Sequence, residues 1–301
     1  MTVTDISRDG AGGLRIEAPA KVNLFLEITG RRADGYHTID SLMGFLDIAD
    51  RVHLQPADAL SLTMDGPHAG GAPPGEDNLA VRAVRLLEER AGRALPVAIH
   101  IEKIIPAGAG LGGGSADAAA VLRGMRSLCH LSISDDELGR LGLKLGADVP
   151  ACLASVPVLV GGIGEDVQPA AAVPALHLVL VHPGVGLATP DVYAAYDLGH
   201  TDCACCHGHE RMFMPISEID AIAQRRNDLE AAATELEPLV VSVLEQLSGT
   251  AGCQLARMSG SGTACFGIYG DRLMAERASA ALQAAAPGWW VRPARLAGSA
   301  S

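Results

Sequence analysis

The segment Pro106-Ala107-Gly108-Ala109-Gly110-Leu111-Gly112-Gly113-Gly114-Ser115-Ala116 decides the fold, because it places five glycines between a predicted strand and a predicted helix. Glycine allows the backbone to approach an anion closely and to adopt positive φ angles. The helix that follows would offer unpaired N–H groups and the positive end of its dipole. The segment is therefore predicted to bind a chain of phosphate groups.

Both flanks of this glycine loop support that prediction. Val97, Ile99 and Ile101 alternate with other residues, which is the period-two pattern of a strand. The range 115–129 is rich in alanine and has apolar residues at helical spacing. A flexible linker or a tight packing turn is the alternative, and five glycines in this context disfavour it.

Two familiar phosphate loops can be compared with this one. A Walker A loop has a lysine after its last glycine, and Gly114 is followed by Ser115 instead. The spacing Gly108-x-Gly110-x-x-Gly113 fits the dinucleotide fingerprint, which also needs an acidic residue after a second strand about twenty positions later. Asp135-Asp136 lies there, in a predicted helix cap. Both alternatives are disfavoured.

The rest of the chain mixes strands and helices without strict alternation. A first strand is predicted over Val22–Ile28, and a later strand over Leu176–Val181 is followed by a predicted long loop. This order is typical of an α+β protein. Periodicity is lost around Gln168–Pro174, so we expect an N-terminal domain over residues 1–170 and a C-terminal domain over residues 171–301.

Composition limits the class of protein. The chain has 301 residues, 49% of them hydrophobic, and a net charge of −12, which argue against disorder and against nucleic acid as a partner. The N-terminal residues lack a secretory signal, and Pro174 and His177 interrupt the apolar run over 170–181, so no membrane partner is expected. Seven cysteines, an odd number, imply no disulfide framework. We expect a cytoplasmic monomer or homodimer that binds a small molecule.

Three segments together resemble the GHMP small-molecule kinases. Pro106–Ala116 is similar to their second motif, Ala18-Pro-Ala-Lys21-Val-Asn23-Leu-Phe-Leu to their first, and Ser259-Gly-Ser-Gly-Thr-Ala-Cys-Phe266 to their third. The resemblance implies a two-domain α+β fold with the active site in the cleft between the domains. It also implies that residues 106–116 bind ATP, used as its Mg²⁺ complex.

The resemblance is narrower within this family. Thr29–His37, Leu143–Pro150 and His182–Gly184 resemble the branch whose substrate is a methylerythritol that carries cytidine diphosphate. The implied reaction transfers the γ-phosphate of ATP to the C2 hydroxyl group in the non-mevalonate route to isoprenoid precursors. Another GHMP kinase, acting on homoserine or mevalonate, is the alternative. A non-catalytic nucleotide-binding protein on the same scaffold is a second, more distant alternative.

The resemblance assigns the catalytic roles to Lys21 and Asp148. Asp148 would accept the proton of the substrate hydroxyl, and Lys21 would hold the carboxylate ionised and polarise the hydroxyl. The residues alone leave other roles open. Asp148 precedes Val149-Pro150, which also fits a helix N-cap, and a lone lysine is usually solvated.

The resemblance also assigns a substrate pocket. Tyr36 and His37 would recognise the cytosine ring, since an aromatic ring can stack on a base and histidine offers a donor and an acceptor. Asn23 and Asp34 would support the same pocket. Ser115 would contact phosphate or Mg²⁺, for which no carboxylate ligand is assigned. Ala116 occupies a position where many relatives have serine.

One segment is not explained by the family. Cys203, Cys206, His207 and His209 lie close together in a predicted surface loop, and cysteine with histidine at short spacing can bind zinc. A second pair of ligands at zinc-finger spacing is not evident. A solvated loop is therefore the favoured interpretation of this segment, and metal binding is the alternative.

Overall fold

Two compact units make up the computed structural model, which describes residues 6–10, 12–199 and 219–299. The first unit contains the described residues up to Lys21, Ile48–Ala107 and Gly112–Val156, and the second contains Val22–Asp47, Gly108–Leu111 and the described residues from Pro157 onward. Neither unit is one continuous segment. The domain boundary expected near residue 170 stays a prediction.

Strands and helices alternate irregularly along the chain. The strands are Ile6–Arg8 (β1), Leu14–Arg31 (β2), His37–Pro56 (β3), Ser61–Asp65 (β4), Val97–Glu102 (β5), Val158–Gly162 (β6), Asp166–Pro169 (β7), Leu176–His182 (β8), Cys253–Met258 (β9), Cys265–Tyr269 (β10) and Trp290–Leu296 (β11). The helices are Leu79–Ala91 (α1), Gly113–Leu128 (α2), Asp135–Leu145 (α3), Val149–Ala154 (α4), Thr189–Gly199 (α5), Ile219–Ala223 (α6), Glu230–Leu236 (α7), Leu239–Ser248 (α8) and Arg272–Ala285 (α9). Two short 3₁₀ turns cover Ala69–Gly71 and Gly75–Asp77.

The first unit packs four helices, α1–α4, with a small sheet. Strand β5 pairs antiparallel with the end of β3 and parallel with β4, while β1 pairs antiparallel with the start of β2. Helix α2 lies close to the sheet at Gly124, where a Cβ would come within 2.5 Å of Leu54 Cδ1 and 2.6 Å of Ile16 Cδ1. A larger residue at this point would push the helix away from the core.

The helices of the first unit begin at side-chain caps that can be read in the sequence. The Asn78 side chain accepts a hydrogen bond from the N–H of Ala80 at the start of α1. The Ser134 hydroxyl accepts one from the N–H of Glu137 at the start of α3. Each cap satisfies one N–H group that the helix itself leaves unpaired. Both caps are specified by residues within three positions of the helix start.

The second unit is built on antiparallel strands. Strand β8 lies between β10 and β11, β9 continues beyond β10, and the first part of β3 pairs with β6, which pairs with β7. Helices α8 and α9 pack on these strands over a buried core that includes Val179, Val181, Val243, Leu247 and Leu282. Burial of such side chains contributes most of the stabilisation of a domain.

The α+β prediction is confirmed, and three details differ from the sequence expectations. The sequence pattern alone predicts only a short strand at Arg51–Gln55 in this range, whereas strand β3 runs without a break over His37–Pro56. Helix α5 lies in the range that was predicted to be a long loop, and β9 was not predicted. The described part of the chain contains no helix that is long and apolar enough to cross a membrane.

Candidate active site

The glycine loop joins β5 to α2 and turns sharply through residues with positive φ. Gly108, Gly110 and Gly112 have φ angles of 69°, 77° and 67°, which side chains other than glycine rarely adopt. At Gly112 the space is also restricted, because a Cβ would lie 2.6 Å from Lys21 Cγ in the same unit. Gly112 therefore allows the backbone of the loop to pass directly over the stem of Lys21.

The helix that follows the loop leaves its first N–H groups open. Helix α2 begins at Gly113 with Gly112 as its N-cap residue, and no described side chain caps it. The first intrahelical bond of the turn runs from Ala116 N–H to Gly112 O, at 2.8 Å. The N–H groups of the first turn and the positive end of the helix dipole are suited to an anion, and the binding of phosphate there stays a prediction.

The predicted ATP-binding residues differ in exposure. Ala107, Gly108 and Gly114 are exposed, whereas Pro106, Ala109, Leu111 and Ala116 are buried, and Gly110, Gly112, Gly113 and Ser115 are half-buried. The buried side chains pack in the core. A phosphate group would therefore contact this loop mainly through backbone N–H groups and through Ser115.

The middle of the loop is held by the third motif within the second unit. The N–H of Ala264 donates to Ala109 O at 2.9 Å, and the Ser259 hydroxyl donates to Gly110 O at 3.3 Å. The Ser259 hydroxyl also accepts the N–H of Asn23 at 3.1 Å. Segments from all three sequence motifs are therefore hydrogen-bonded to one another.

Lys21 and Asp148 form an ion pair within the first unit. Lys21 Nζ lies 3.2 Å from Asp148 Oδ2, and the side chains are 5% and 30% exposed, respectively. Lys21 lies in the middle of β2 and is buried, so it is not the solvated edge lysine that a lone lysine usually is. The ammonium group is held next to a carboxylate that can still be reached from solvent.

Asp148 stands at the N-cap position of α4, yet its side chain makes no capping hydrogen bond. The pattern Asp148-Val149-Pro150 resembles a helix cap because Asp148 precedes the helix and Pro150 lies in its first turn. It does so without a capping hydrogen bond from the Asp148 side chain. The Ser115 hydroxyl lies 3.9 Å from the point that a Cβ would occupy at Gly146, two residues before Asp148. The first unit thus brings Lys21, Ser115 and Asp148 to the same region.

Tyr36 and His37 follow the turn between β2 and β3 and differ strongly in exposure. Tyr36 is 64% exposed, whereas the His37 side chain is 9% exposed. The His37 ring stacks on Tyr193 at 5.0 Å, meets Tyr196 edge-on at 6.0 Å, and places Nε2 at 2.7 Å from Asp197 Oδ1. The sequence analysis missed these three partners, because all of them come from α5.

Asn23 and Asp34 contact protein groups close to them. Asn23 is buried, and its Nδ2 donates to the Ser41 hydroxyl at 2.9 Å. Asp34 is in the exposed turn, where Oδ1 accepts the N–H of Tyr36 at 3.3 Å and Oδ2 pairs with Arg32 at 2.8 Å. These contacts shape the strand and the turn that carry Tyr36, and a direct role at the substrate stays a prediction.

A second charged cluster, which the sequence analysis also missed, lies beside the glycine loop in the first unit. Lys103 Nζ bonds to Asp50 Oδ2 and, at 2.6 Å, to Asp117 Oδ2. Asp50 Oδ1 accepts the N–H groups of Ile104 and Ile105, and Lys103, Asp50 and Asp117 are each less than 4% exposed. The cluster therefore ties the end of β5 to the first turns of α2, on either side of the loop.

The cluster has one cation for two carboxylates, and Asp117 is the carboxylate that is less well compensated. Its Oδ1 is buried without a hydrogen-bond partner among the described residues. Burial raises the pKa of Asp117 to about 7, although the Lys103 ammonium acts in the opposite direction. The pKa of Lys103 is raised despite its burial, because both carboxylates favour the ammonium form. A proton is thus held on Asp117 below neutral pH.

This titration predicts how stability changes with pH. The pKa of Asp117 is about 7 in the folded chain, whereas an aspartate in the unfolded chain has the ordinary pKa of 3.8. Between these two pH values the folded chain therefore binds more protons than the unfolded chain. Its contribution to the free energy of unfolding therefore falls as the pH rises through this window and is level above it. Asp117→Asn removes the titration. We expect the free energy of unfolding of wild type minus that of the variant to fall between about pH 4 and about pH 7.

Urea unfolding followed by circular dichroism over this range measures the difference. Asp136→Asn, an exposed position in α3, is the matched control and should show no such slope. A difference between wild type and Asp117→Asn that stays constant or rises with pH would contradict the prediction.

The described residues contain free thiols but no cluster of metal ligands. Within residues 6–10, 12–199 and 219–299, no group of three or more His, Cys, Asp or Glu side chains is arranged to hold a metal ion. Cys129, Cys152, Cys253 and Cys265 carry free thiols. The segment with Cys203, Cys206, His207 and His209, for which a solvated loop and metal binding are the two predictions, lies outside the described residues.

Comparison with known families covers the second and the third motif. Residues 78–155 match the family described as "GHMP kinases N terminal domain", and residues 213–288 match the family described as "GHMP kinases C terminal". The first match includes α1 to α4 and the glycine loop. The second includes β9, β10 and α9, with the third motif between the two strands.

Individual proteins are similar over almost the full chain. A 4-diphosphocytidyl-2-C-methyl-D-erythritol kinase of Paramagnetospirillum magneticum is 46% identical over 281 residues, which are 93% of this chain and 98% of the relative. A crystal structure of 4-(cytidine 5'-diphospho)-2C-methyl-D-erythritol kinase is 35% identical with a TM-score of 0.74, and covers 94% of this chain and 100% of its own. A homoserine kinase from Cytophaga hutchinsonii has a TM-score of 0.69 at 20% identity, covers 97% and 96%, and shares the fold alone.

Proposed function

We propose a specific reaction for this chain, which belongs to the family of 4-diphosphocytidyl-2-C-methyl-D-erythritol kinases among the GHMP kinases and is a kinase of that type. It transfers the γ-phosphate of ATP to the C2 hydroxyl group of 4-diphosphocytidyl-2-C-methyl-D-erythritol. This reaction is a step of the non-mevalonate route to isoprenoid precursors. The main support within the molecule is the ion pair of Lys21 with Asp148, because a binding protein without catalysis would not need a half-accessible carboxylate beside a buried ammonium.

Asp148 is the proposed general base. Its carboxylate accepts the proton of the C2 hydroxyl while the hydroxyl oxygen forms a bond to the γ-phosphorus and the bond from that phosphorus to the bridging oxygen of ADP breaks. Lys21 lies 3.2 Å from the same carboxylate and carries the opposite charge. It can therefore also stabilise the negative charge that develops on the attacking oxygen.

The glycine loop is the proposed ATP site. The open N–H groups at the start of α2 and the positive end of the helix dipole favour the phosphate chain. Mg²⁺ bound to ATP neutralises part of the phosphate charge. The Ser115 hydroxyl is a hard oxygen donor in this first turn and fits such an ion, which usually keeps several phosphate and water ligands.

Tyr36 and His37 are the proposed recognition site for the cytosine ring. Tyr36 is 64% exposed, although an aromatic ring of this size is seldom left uncovered, so a flat apolar ligand could stack on it with little rearrangement. His37 has a fixed ring that can hydrogen-bond to a base edge. Homoserine and mevalonate have no such ring, and the turn would be of no use for them.

A coupled assay of ADP release tests the proposal. We expect turnover with 4-diphosphocytidyl-2-C-methyl-D-erythritol and none above background with homoserine or mevalonate. In the same assay Tyr36→Ala should raise KM for the cytidyl substrate by about tenfold or more, since base stacking is worth about 1–3 kcal/mol, and leave KM for ATP unchanged. Equal turnover with homoserine or mevalonate would favour another GHMP kinase, and binding of ATP without turnover would favour a non-catalytic protein.

A further inference from the structure

Arg123 lies in the second half of α2 and holds the end of α4, within the first unit. Its Nη1 lies 3.0 Å from Cys152 O, 3.1 Å from Leu153 O and 2.8 Å from Ser155 Oγ, all within hydrogen-bond distance. The last carbonyl groups of a helix have no partner within the helix, and a basic side chain can satisfy them. Arg123 therefore caps the C-terminal end of α4 from a neighbouring helix.

The other nitrogens of Arg123 make no comparable contact. Nε and Nη2 are buried, and neither has a hydrogen-bond partner among the described residues. Burial lowers the pKa of the guanidinium group to about 10, so the group is still charged at neutral pH. Burial of such a cation is unfavourable unless its donors are used. Within the described part of the chain, they are used at the end of α4 alone.

The other end of α4 carries the proposed general base. Asp148 is the N-cap residue of this helix, which has only the six residues Val149–Ala154. The N–H of Cys152 donates to Asp148 O at 3.0 Å, and the carbonyl group of the same Cys152 accepts from Arg123. A single residue thus connects the guanidinium group to the backbone of Asp148.

Helix α2 is also the helix whose first turn is the proposed phosphate site. Arg123 lies ten residues after Gly113, which corresponds to about 15 Å along the helix axis. The intrahelical hydrogen bonds keep this spacing constant. The contacts of Arg123 therefore connect the helix that begins at the glycine loop to the helix that begins at Asp148.

We propose that Arg123 is a positioning residue, which sets where Asp148 stands relative to the phosphate site by fixing the end of α4 to α2. This inference rests on the proposed function, because it takes Asp148 as the general base. A catalytic group that is misplaced by about 1 Å can lower the rate by a factor of about 10². Arg123 therefore affects kcat through the backbone of α4, whereas the binding of ATP at the start of α2 does not depend on it.

Arg123→Met tests the proposal, because it retains much of the apolar stem and removes the three contacts with α4. We expect kcat with the cytidyl substrate to fall by about tenfold to hundredfold, and KM for ATP to stay unchanged. Arg123→Lys retains the charge and can donate to some of the same oxygens. Its kcat should lie between those of wild type and Arg123→Met.

Arg126→Met is the matched control. Arg126 lies three residues later in the same helix, and its Nη1 bonds to Asp135 Oδ1 at 2.6 Å, at the start of α3 and not at α4. Asp135 is exposed, so the loss of this pair should have little effect on stability. We expect kcat and both KM values of this variant to equal those of wild type.

A double variant distinguishes positioning from a general loss of stability. If Arg123 acts through Asp148, Arg123→Met should lower kcat strongly in the wild-type background and hardly at all in Asp148→Asn, where no base is left to position. A smaller amount of folded enzyme would instead lower the rate by the same factor in both backgrounds. Equal factors would overturn the proposal.

Hydrogen exchange measured by mass spectrometry needs no turnover. We expect the N–H groups of α4, including the one that Cys152 donates to Asp148 O, to exchange faster in Arg123→Met than in wild type. Exchange in the peptides of α3 should not change. If Arg123→Met does not fold, Arg123→Lys replaces it in both measurements, because one ammonium group cannot reproduce all three contacts. Values of kcat and exchange equal to those of wild type would then overturn the inference.

Failure of the inference differs from failure of the proposed function. A folded Arg123→Met variant with unchanged kcat, or with unchanged exchange in α4, would overturn the inference and leave the proposed function intact. A wild type without turnover of the cytidyl substrate would refute the proposed function. The exchange measurement would in that case still decide whether Arg123 holds α4 in place.

Discussion

Asp148→Asn is expected to lower kcat by a factor of about 10²–10⁴, the range attributed to general acid–base catalysis, with little change in KM for ATP. The asparagine has the same shape and still offers Lys21 an oxygen acceptor, but it cannot take a proton from the substrate hydroxyl. The Asp148 side chain makes no capping bond to α4, and an asparagine oxygen can still accept from Lys21, so we expect the variant to fold. Steady-state kinetics with the cytidyl substrate measures the effect.

Lys21→Met should give a loss of similar size, since it removes the charge next to the carboxylate and retains most of the apolar stem that packs on Gly112. When two groups act as a unit, the loss in the double variant is close to that of either single one rather than to their product. Asp136→Asn and Lys144→Met, both at exposed positions of α3, are the controls. A kcat within about threefold of wild type in Asp148→Asn would remove Asp148 from the base role.

Lys103→Met is expected to lower the free energy of unfolding by about 3–5 kcal/mol, because it leaves Asp50 and Asp117 buried without their cation. The side chain is 3% exposed, so water cannot easily replace the lost ammonium. Methionine retains similar length and fills most of the space. Urea unfolding near pH 8, where the Asp117 carboxyl of the wild type is ionised and paired with Lys103, should show a large loss.

The same measurement at about pH 5 separates the charge effect from a packing effect. Protonation of Asp117 removes one of the two uncompensated charges, so the loss in Lys103→Met should be smaller there. Lys144→Met is again the control and should stay within about 0.5 kcal/mol of wild type. A loss below about 1 kcal/mol at both pH values would mean that the cluster is not an important source of stability.

Features that depend on neighbouring residues were predictable from the sequence. The glycine loop, the helix that follows it and the caps at Asn78 and Ser134 are all specified within a few residues. Asp148 shows the limit of such reasoning. Its sequence neighbours fit a helix cap and a catalytic base equally well, and only the position of Lys21, 127 residues earlier in the chain, distinguishes the two.

Features that depend on distant pairing were not predictable. Asp50 and Lys103 are separated by 53 residues, and His37 and Asp197 by 160. A charged residue such as Asp50 in a strand also reads as exposed until its partner is known. Helix α5 did leave a local signal, since Thr189-Pro190-Asp191 is typical of a helix start, but its weak apolar periodicity hid the rest.

Burial of lysine has a practical consequence for labelling this protein. Only three of the 23 lysine and arginine residues in the sequence are lysines, namely Lys21, Lys103 and Lys144. The first two are buried in ion pairs. An amine-reactive dye should therefore modify Lys144 readily, and the other two lysines only when the chain opens. The rate at which Lys21 becomes acylated would then report local unfolding around the ion pair, and added ATP should slow it.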